Sequence, residues 1–577
     1  MQKNESFSSS ISGPQRVVDF LLETAWLITI FALPLVFFPN IFTTFELAKA
    51  AVFQGSVTLM FLLWVLKYFL QGTSPSVLIK SRKYIRTALA LFLGFYILAT
   101  VFSVAPEMSV FGWYPRFQGL FTLAGYCIFG LIVFFELRTE QQKKRLMLMM
   151  MASFLLVCAV ALAQKFLPGF LQWWNDAAFN GRIYGTMANP NYLAAYIVMM
   201  LPLFVGNFFT KKLRIFSGVS LMLGIFALAL TLSREGFLAA FLSLLFFFVV
   251  VAVWKRAKKT LAFLCILPFI FGGFVWYLIS HQQESWVQNN PVLERLTTSQ
   301  DNISSAQSRL EIWPAALHEI LSSPFIGYGP ETFAVTFPSF APPTVNTRED
   351  QGEIVDHAHN ELLDIAAQIG IPGMIAYLCF IFGLIVAGTR RFLKPDAVNG
   401  DQDSWLLLSL CSGVLGLFIA NEFGFSVTVH WVLLVVFAAI ILNTLHQKDF
   451  KTVHYQLHPA WKILFFVLVG VLSIGMFWLH DVSMVLADVH MRQGYDAIVG
   501  GDFPTTVTEY RTASQLAPVE AFYSLNFAYA ELQRYYDGQK LSAVESVEAF
   551  ERSLHAARLR GYDSFSLSVA KELQNTF

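Results

Sequence analysis

Four short segments of this chain hold side chains whose types and neighbours could carry chemistry. Arg182 lies in Gly181-Arg-Ile-Tyr-Gly-Thr-Met-Ala-Asn-Pro-Asn191. Asn189 and Pro190 make a cap and first turn there, a helix start in which Arg182 has no part. Ser233-Arg234-Glu235-Gly236 is wedged between two apolar runs. A guanidinium so close to lipid costs about 2.5–3.5 kcal/mol unless it reaches water or an anion. Pairing with Glu235, or snorkelling to the interface, is the plainer alternative for Arg234. The third segment joins Ser308-Arg309-Leu-Glu-Ile-Trp313 to Pro324-Phe-Ile-Gly-Tyr-Gly-Pro-Glu331, where glycines flanking Tyr328 permit a tight turn or close backbone approach. The fourth is Asp356-His-Ala-His-Asn-Glu-Leu-Leu-Asp364. Leu362, Ile365, Ala366 and Ile369 share one helix face, Asn360 is its N-cap, and Gly370 and Pro372 end it. His359 thus stands at a helix mouth, where the positive end of the dipole favours a neutral, proton-accepting imidazole. His357, two residues away, points elsewhere and ranks second. His-x-His also reads as half a metal site, but a third ligand is missing and no metal is expected. The Asp-x-Asp pair that a metal-assisted transfer would want occurs as Asp401-Gln-Asp403, on the face away from these residues. Glu349, Asp350, Glu353 and Asp356 read as a solvated acidic loop.

The elements that must position these side chains are membrane helices. The chain has 577 residues, 56% hydrophobic and only 14% charged, against about 25% charged for soluble domains, so lipid is the solvent for much of it. Net charge is +1, which gives no field for nucleic acid, and no nucleic-acid partner is expected. Apolar runs long enough to span fall at 20–38, 48–70, 85–104, 118–136, 146–165, 191–209 and 214–232. They continue at 236–254, 260–280, 371–388, 404–422, 428–445 and 461–480, about thirteen in all. Lys and Arg crowd every second loop (Lys80 to Arg86, Lys143 to Arg145, Lys211 to Arg214, Lys255 to Lys259, Arg390 to Lys394, Lys448 and Lys451), which puts the N-terminus in the cytoplasm. Residues 1–19 are then a cytoplasmic leader and 20–480 the membrane domain, with long outer loops at 166–190 and 281–360. Residues 481–577 have soluble composition and lie outside. In that last part Gly494, Tyr510, Ala513 and Pro518 sit at tetratricopeptide-repeat (TPR) offsets, and Phe522, Tyr523, Ala528, Phe550 and Ala556 suggest a degenerate second unit. The expected fold is all-α, polytopic, with a TPR-like helical domain. The five cysteines all lie in apolar stretches without CxxC spacing and read as buried small hydrophobes.

The His-Ala-His-Asn-Glu-Leu-Leu stretch, followed by Ile-Gly-Ile-Pro-Gly373 and preceded by Pro-Phe-Ile-Gly-Tyr-Gly, resembles the core of the O-antigen ligase superfamily. Ser109-Val-Phe-Gly-Trp-Tyr-Pro-Arg-Phe-Gln-Gly119, Asn189-Pro-Asn191 and Ser233-Arg-Glu-Gly236 match in the same order, over roughly residues 100 to 390. The resemblance implies a GT-C-like fold in the bacterial inner membrane that takes a glycan from undecaprenyl pyrophosphate on the outer face, inverting at the anomeric carbon and without a metal ion or cofactor. It assigns Arg182 and Arg234 to the pyrophosphate, with Arg116 and Arg309 as weaker candidates, and gives the essential role to His359. The acceptor is a lipid, a protein or another glycan, and the TPR-like domain would take a protein partner or rest as a lid. A transporter or flippase for a lipid-linked or anionic solute is the alternative from another class, since arginines can also line a translocation path.

Overall fold

The computed structural model describes residues 13–571 apart from 72, 76–82, 168–178, 180, 211–213, 298–299, 343–354, 395–401, 447–451, 455–458, 537–542 and 560–567. A helix stands at each of the thirteen expected spans. Among the described residues twelve helices are long and apolar enough to cross a membrane, and Leu120–Glu136 is a shorter apolar helix of 17 residues between two of them. The chain is an all-α, multi-pass membrane protein. Its described strands are Thr73–Pro75 and Thr452–His454, which pair antiparallel.

Pro190–Thr210 and Asp403–Asn421 form the centre, each 78% buried over its apolar window, whereas Lys258–Ser280 is 11% buried and faces outward. Small residues explain the close packing of the central pair. A Cβ on Gly206 would collide with Ser409 Oγ at 2.1 Å, and one on Gly413 with the Met199 carbonyl at 2.4 Å. With no hydrophobic drive between helices in lipid, such close approach is what holds them. Cys158 and Cys411 are buried as expected, but Cys265 and Cys379 are exposed on the outer surfaces of their spans. Lipid accepts a thiol there as readily as a protein core would.

Successive spans alternate in direction, so the described residues of the segments at 33–45, 102–119, 179–189, 232–233, 281–360, 422–427 and 478–571 share one face. Hydrogen bonds join them: Val104 N to Tyr328 O (3.1 Å) and Phe42 N to Asp488 O (3.2 Å). Arg309 Nη2 donates to Phe423 O (2.9 Å). The basic loops lie at the opposite ends of the spans. Asp403 is there too, 3.1 Å from Lys143 Nζ, while Asp401 lies outside the described residues.

Two glycine motifs from the sequence turn out to be partners. Glu361–Phe392 is helical except at Gly370 (φ 78°, ψ 166°), where the short helix after Asn360 kinks into the membrane span. The 323–330 turn packs on that kink: Tyr328 N and Gly329 N donate to Ala367 O and Gln368 O (3.0 and 2.9 Å), and Ile371 N donates to Pro324 O (2.8 Å). A Cβ on Gly327 would sit 2.4 Å from the Gln368 backbone, and one on Gly370 would sit 2.5 Å from Phe325. Only glycines allow two backbones to meet so closely at positive φ.

The last membrane helix, Pro459–Phe477, does not stop at residue 480. It passes through a π-helical turn at Trp478–Val482 into Ser483–Val499. Phe503–Leu516, Ala521–Tyr536 and Ala543–Leu559 follow, each packed on its predecessor. Gly494 meets the Tyr510 ring, with room for no Cβ. At the other end the first helix begins at Gly13, before the expected boundary at residue 20.

Candidate functional site

The shared face encloses a polar cavity of about 560 Å³ whose walls include Arg116, Arg309, Glu235, Asp356, His359 and Phe425. Local structure fixes each. Asn360 caps the 361–392 helix, its side chain accepting from Leu363 N at 3.0 Å, as its position in the sequence predicts. Its amide also reaches across to Glu422 O at 3.0 Å. One residue back, His359 has φ 51°, a left-handed conformation that histidine adopts more readily than most residues but that still needs outside support. That support comes through Ala358, whose carbonyl accepts from Trp313 Nε1 (3.0 Å) and whose N–H donates to Asp364 Oδ1 (2.7 Å). Among the described residues neither ring nitrogen of His359 makes a hydrogen bond. Burial, and then the Arg309 cation, push its pKa down to about 4, so the imidazole is neutral at neutral pH.

His357 goes elsewhere. Its ring stacks on Phe425 (centroids 4.2 Å apart, 20°), and Nδ1 lies 3.3 Å from Asp364 Oδ2. It lines a separate cavity of about 80 Å³ with Glu331, Glu361 and Gln368. Burial and Arg116 lower its affinity for a proton, but the Asp364 and Asp356 carboxylates together outweigh them, and the pKa lies above the usual histidine value.

Arg116 Nη1 is 2.5 Å from Asp356 Oδ2, and its guanidinium lies 4.2 Å from the Phe425 ring centroid. Asp356 is therefore not part of a solvated acidic loop. Burial would raise its pKa, but Arg116 and both histidines hold it below the usual carboxylate value. Glu349, Asp350 and Glu353 lie outside the described residues. Arg182 stands one layer behind the wall. Its Nε donates to Thr231 O (2.8 Å), and its Nη2 donates to Asn191 Oδ1 (2.6 Å), whose residue does line the cavity. Arg234 opens the helix Arg234–Trp254 beside the wall residue Glu235, behind Ser233, whose hydroxyl caps Gly236 N at 3.2 Å. Arg116 and Arg309 thus line the cavity directly, whereas Arg182 reaches it through Asn191.

Residues 219–378 match the family model described as O-Antigen ligase. That stretch is where the chain is similar to the O-antigen ligases. The chain is also 26% identical over 224 residues to a "ComP-specific O-oligosaccharyltransferase" of Acinetobacter baylyi, covering 36% of this chain and 37% of that one. A "Putative polysaccharide ligase" of Rickettsia felis is 25% identical over 238 residues, covering 40% of this chain and 52% of that one. The chain thus spans about half the length, or less, of these curated relatives. The family match includes Arg234, Arg309, His357 and His359, whereas Arg116 and Arg182 precede it. Sequence reasoning passed over Phe425 and Glu422, on a short turn between two spans. No chemical motif marks that turn, and only its contacts show that it closes the site.

Proposed function

We propose that this protein is a membrane glycosyltransferase that moves a glycan from undecaprenyl pyrophosphate to an acceptor hydroxyl at the outer face of a bacterial inner membrane. The observation that carries the reading is the neutral, unbonded imidazole of His359, within the stretch that matches the O-antigen ligase family model, facing a cavity that holds Arg116 and Arg309. In the step, the acceptor oxygen attacks the anomeric carbon from the face opposite the phosphate. The carbon–oxygen bond to phosphate breaks, undecaprenyl pyrophosphate leaves with the electron pair, and the sugar carbon inverts. Negative charge grows on the departing oxygen, where arginine N–H groups give charge-assisted, bidentate hydrogen bonds without a metal ion. Arg309 uses one N–H on Phe423 O and keeps others for phosphate. The acceptor's proton goes to His359. A bound pyrophosphate would offset the field of Arg309 and raise the imidazole's pKa toward working pH, improving it as a base once donor is present. Residues 481–577, read as a TPR-like outer domain, touch the segment that bears Arg116 through Asp488 and Phe522 and would face the acceptor or a protein partner.

The test uses protein in lipid nanodiscs with an undecaprenyl pyrophosphate-linked glycan and a hydroxyl acceptor, scoring release of the lipid pyrophosphate. His359→Ala is expected to lose about 10²–10⁴-fold in rate, the usual worth of a positioned base, with His357→Ala losing less. Movement of the intact donor across a bilayer without bond cleavage would replace this reading by a transporter.

A further inference from the structure

The segment that carries Arg116 also carries the contacts of the C-terminal helices. Residues 112–119 form a closed turn between Pro106–Phe111 and Leu120–Glu136. A Cβ on Gly119 would lie 2.4 Å from Gly112 N, so the two ends of the turn touch. Its side chains diverge. Arg116 enters the cavity, while two residues earlier Tyr114 stacks on Phe522 of Ala521–Tyr536 (centroids 4.1 Å apart, 13°). The Tyr114 hydroxyl donates to Asp488 Oδ1 at 2.8 Å. That carboxylate, fully buried, also accepts from Tyr523 Oη (3.1 Å) and from Thr43 N (2.6 Å). Three segments distant in sequence therefore converge on one side chain. A second clamp is His480, in the π-helical turn, whose ring stacks on Phe111 at 5.1 Å and meets Phe117 edge-on at 5.9 Å.

We propose that the helices at 483–536 act on the site from outside it: through Asp488 and Phe522 they set the 112–119 turn, and so the reach of Arg116 toward the anionic donor. Asp488 is then a positioning residue, and the domain does more than present an acceptor. The physical basis is leverage over a short, closed turn. Loss of this buried carboxylate removes the acceptor of Thr43 N and the shared acceptor of the Tyr114 and Tyr523 hydroxyls, which keep only Thr43 Oγ1 and Met484 O, and the turn relaxes around the residue that faces phosphate. A misplacement of about 1 Å in a site of this kind can cost about 10²-fold. The activity arm of the test rests on the glycan-transfer reading; the exchange arm does not.

The variants are Asp488→Ala and the gentler Tyr114→Phe, which deletes only a hydroxyl, with exposed Tyr536→Ala as a control in the same domain. Hydrogen–deuterium exchange on the full-length protein in nanodiscs should show faster exchange at 112–119 and at 355–360, where Asp356 pairs with Arg116, for the first two variants and not for the control. Turnover should fall about 10–100-fold for Asp488→Ala and less for Tyr114→Phe. In an Arg116→Ala background, Asp488→Ala should cost less than about 3-fold more, because both changes act through one group. Unchanged exchange at 355–360, unchanged turnover despite faster exchange, or a full additive loss on top of Arg116→Ala each overturns the proposal. A wild-type protein that transfers no glycan sinks the functional reading instead and leaves the exchange result to decide the coupling.

Discussion

His359 stands immediately before the N-cap of its helix, and burial followed by the Arg309 cation lowers its pKa. This gives a signed pH dependence. The acid limb of kcat/KM, which reports the free enzyme, should fall as pH drops through about 4. The limb of kcat should lie higher, since bound pyrophosphate cancels part of the Arg309 field. A kcat/KM limb above the ordinary histidine value would point to His357, whose pKa is raised. Stability shifts in the same direction. Between the usual histidine value and about 4 the unfolded chain takes up a proton that buried His359 refuses, so the fold weakens as pH falls through that window. The arginines divide by position. Arg309→Ala and Arg116→Ala should raise the donor KM by about 10–100-fold, the worth of a charged hydrogen bond, and more than Arg182→Ala, which acts through Asn191. Lysine should rescue only partly, lacking the planar fork. Equal donor KM in all three alanine variants would remove phosphate binding from this account.

One element positions most of the site: the kinked helix Glu361–Phe392 with the glycine turn that packs on it. Gly327 and Gly370 both have positive φ and both meet backbone where a Cβ would go, so alanine adds strain and overlap together. Gly327→Ala and Gly370→Ala should each destabilise the protein by about 1–3 kcal/mol, read as a lower Tm in detergent. Gly272→Ala and Gly273→Ala, in the outward-facing helix Lys258–Ser280 with open space at both positions, are the matched controls. Equal Tm across all four would mean that the turn and the kink yield freely. The sequence makes the glycines visible as turn formers. It does not reveal that two motifs about forty residues apart lock each other.

For the whole molecule the assignment that matters is which side of the membrane the site faces. The cavity and the C-terminal helices lie on one face, and the Lys- and Arg-rich loops on the other. The positive-inside rule predicts that the basic face is cytoplasmic. Alkaline phosphatase fused to the C-terminus should therefore be active, and fused after residue 257 it should be silent. The reverse pattern would place the site in the cytoplasm and remove the outer-face reaction. Buried charge supports the rigidity of the basic face: Lys67 reaches Asp19 at 2.6 Å and pairs with Glu136, tying three spans.

The amino-acid sequence alone determined the class of the molecule. Some thirteen helices follow from apolar run length, because lipid leaves the backbone no other open-ended way to satisfy its hydrogen bonds. It also determined the local start of the His359 helix, since Asn360, the 362–369 apolar face and Gly370 act within a few residues of one another. Tertiary structure decided what those local signals could not reach. Asp356 reads as solvent-exposed until Arg116, 240 residues earlier in the chain, is found against it. Phe425 carries no chemical signal, yet it touches both histidines and Arg116. Asp488 belongs to a soluble-looking helix and becomes the hub of the Arg116 turn only when the last membrane helix runs unbroken into it. Periodicity and caps are short-range and survive in sequence, whereas the partners of a buried charge are set by which span ends meet on one face.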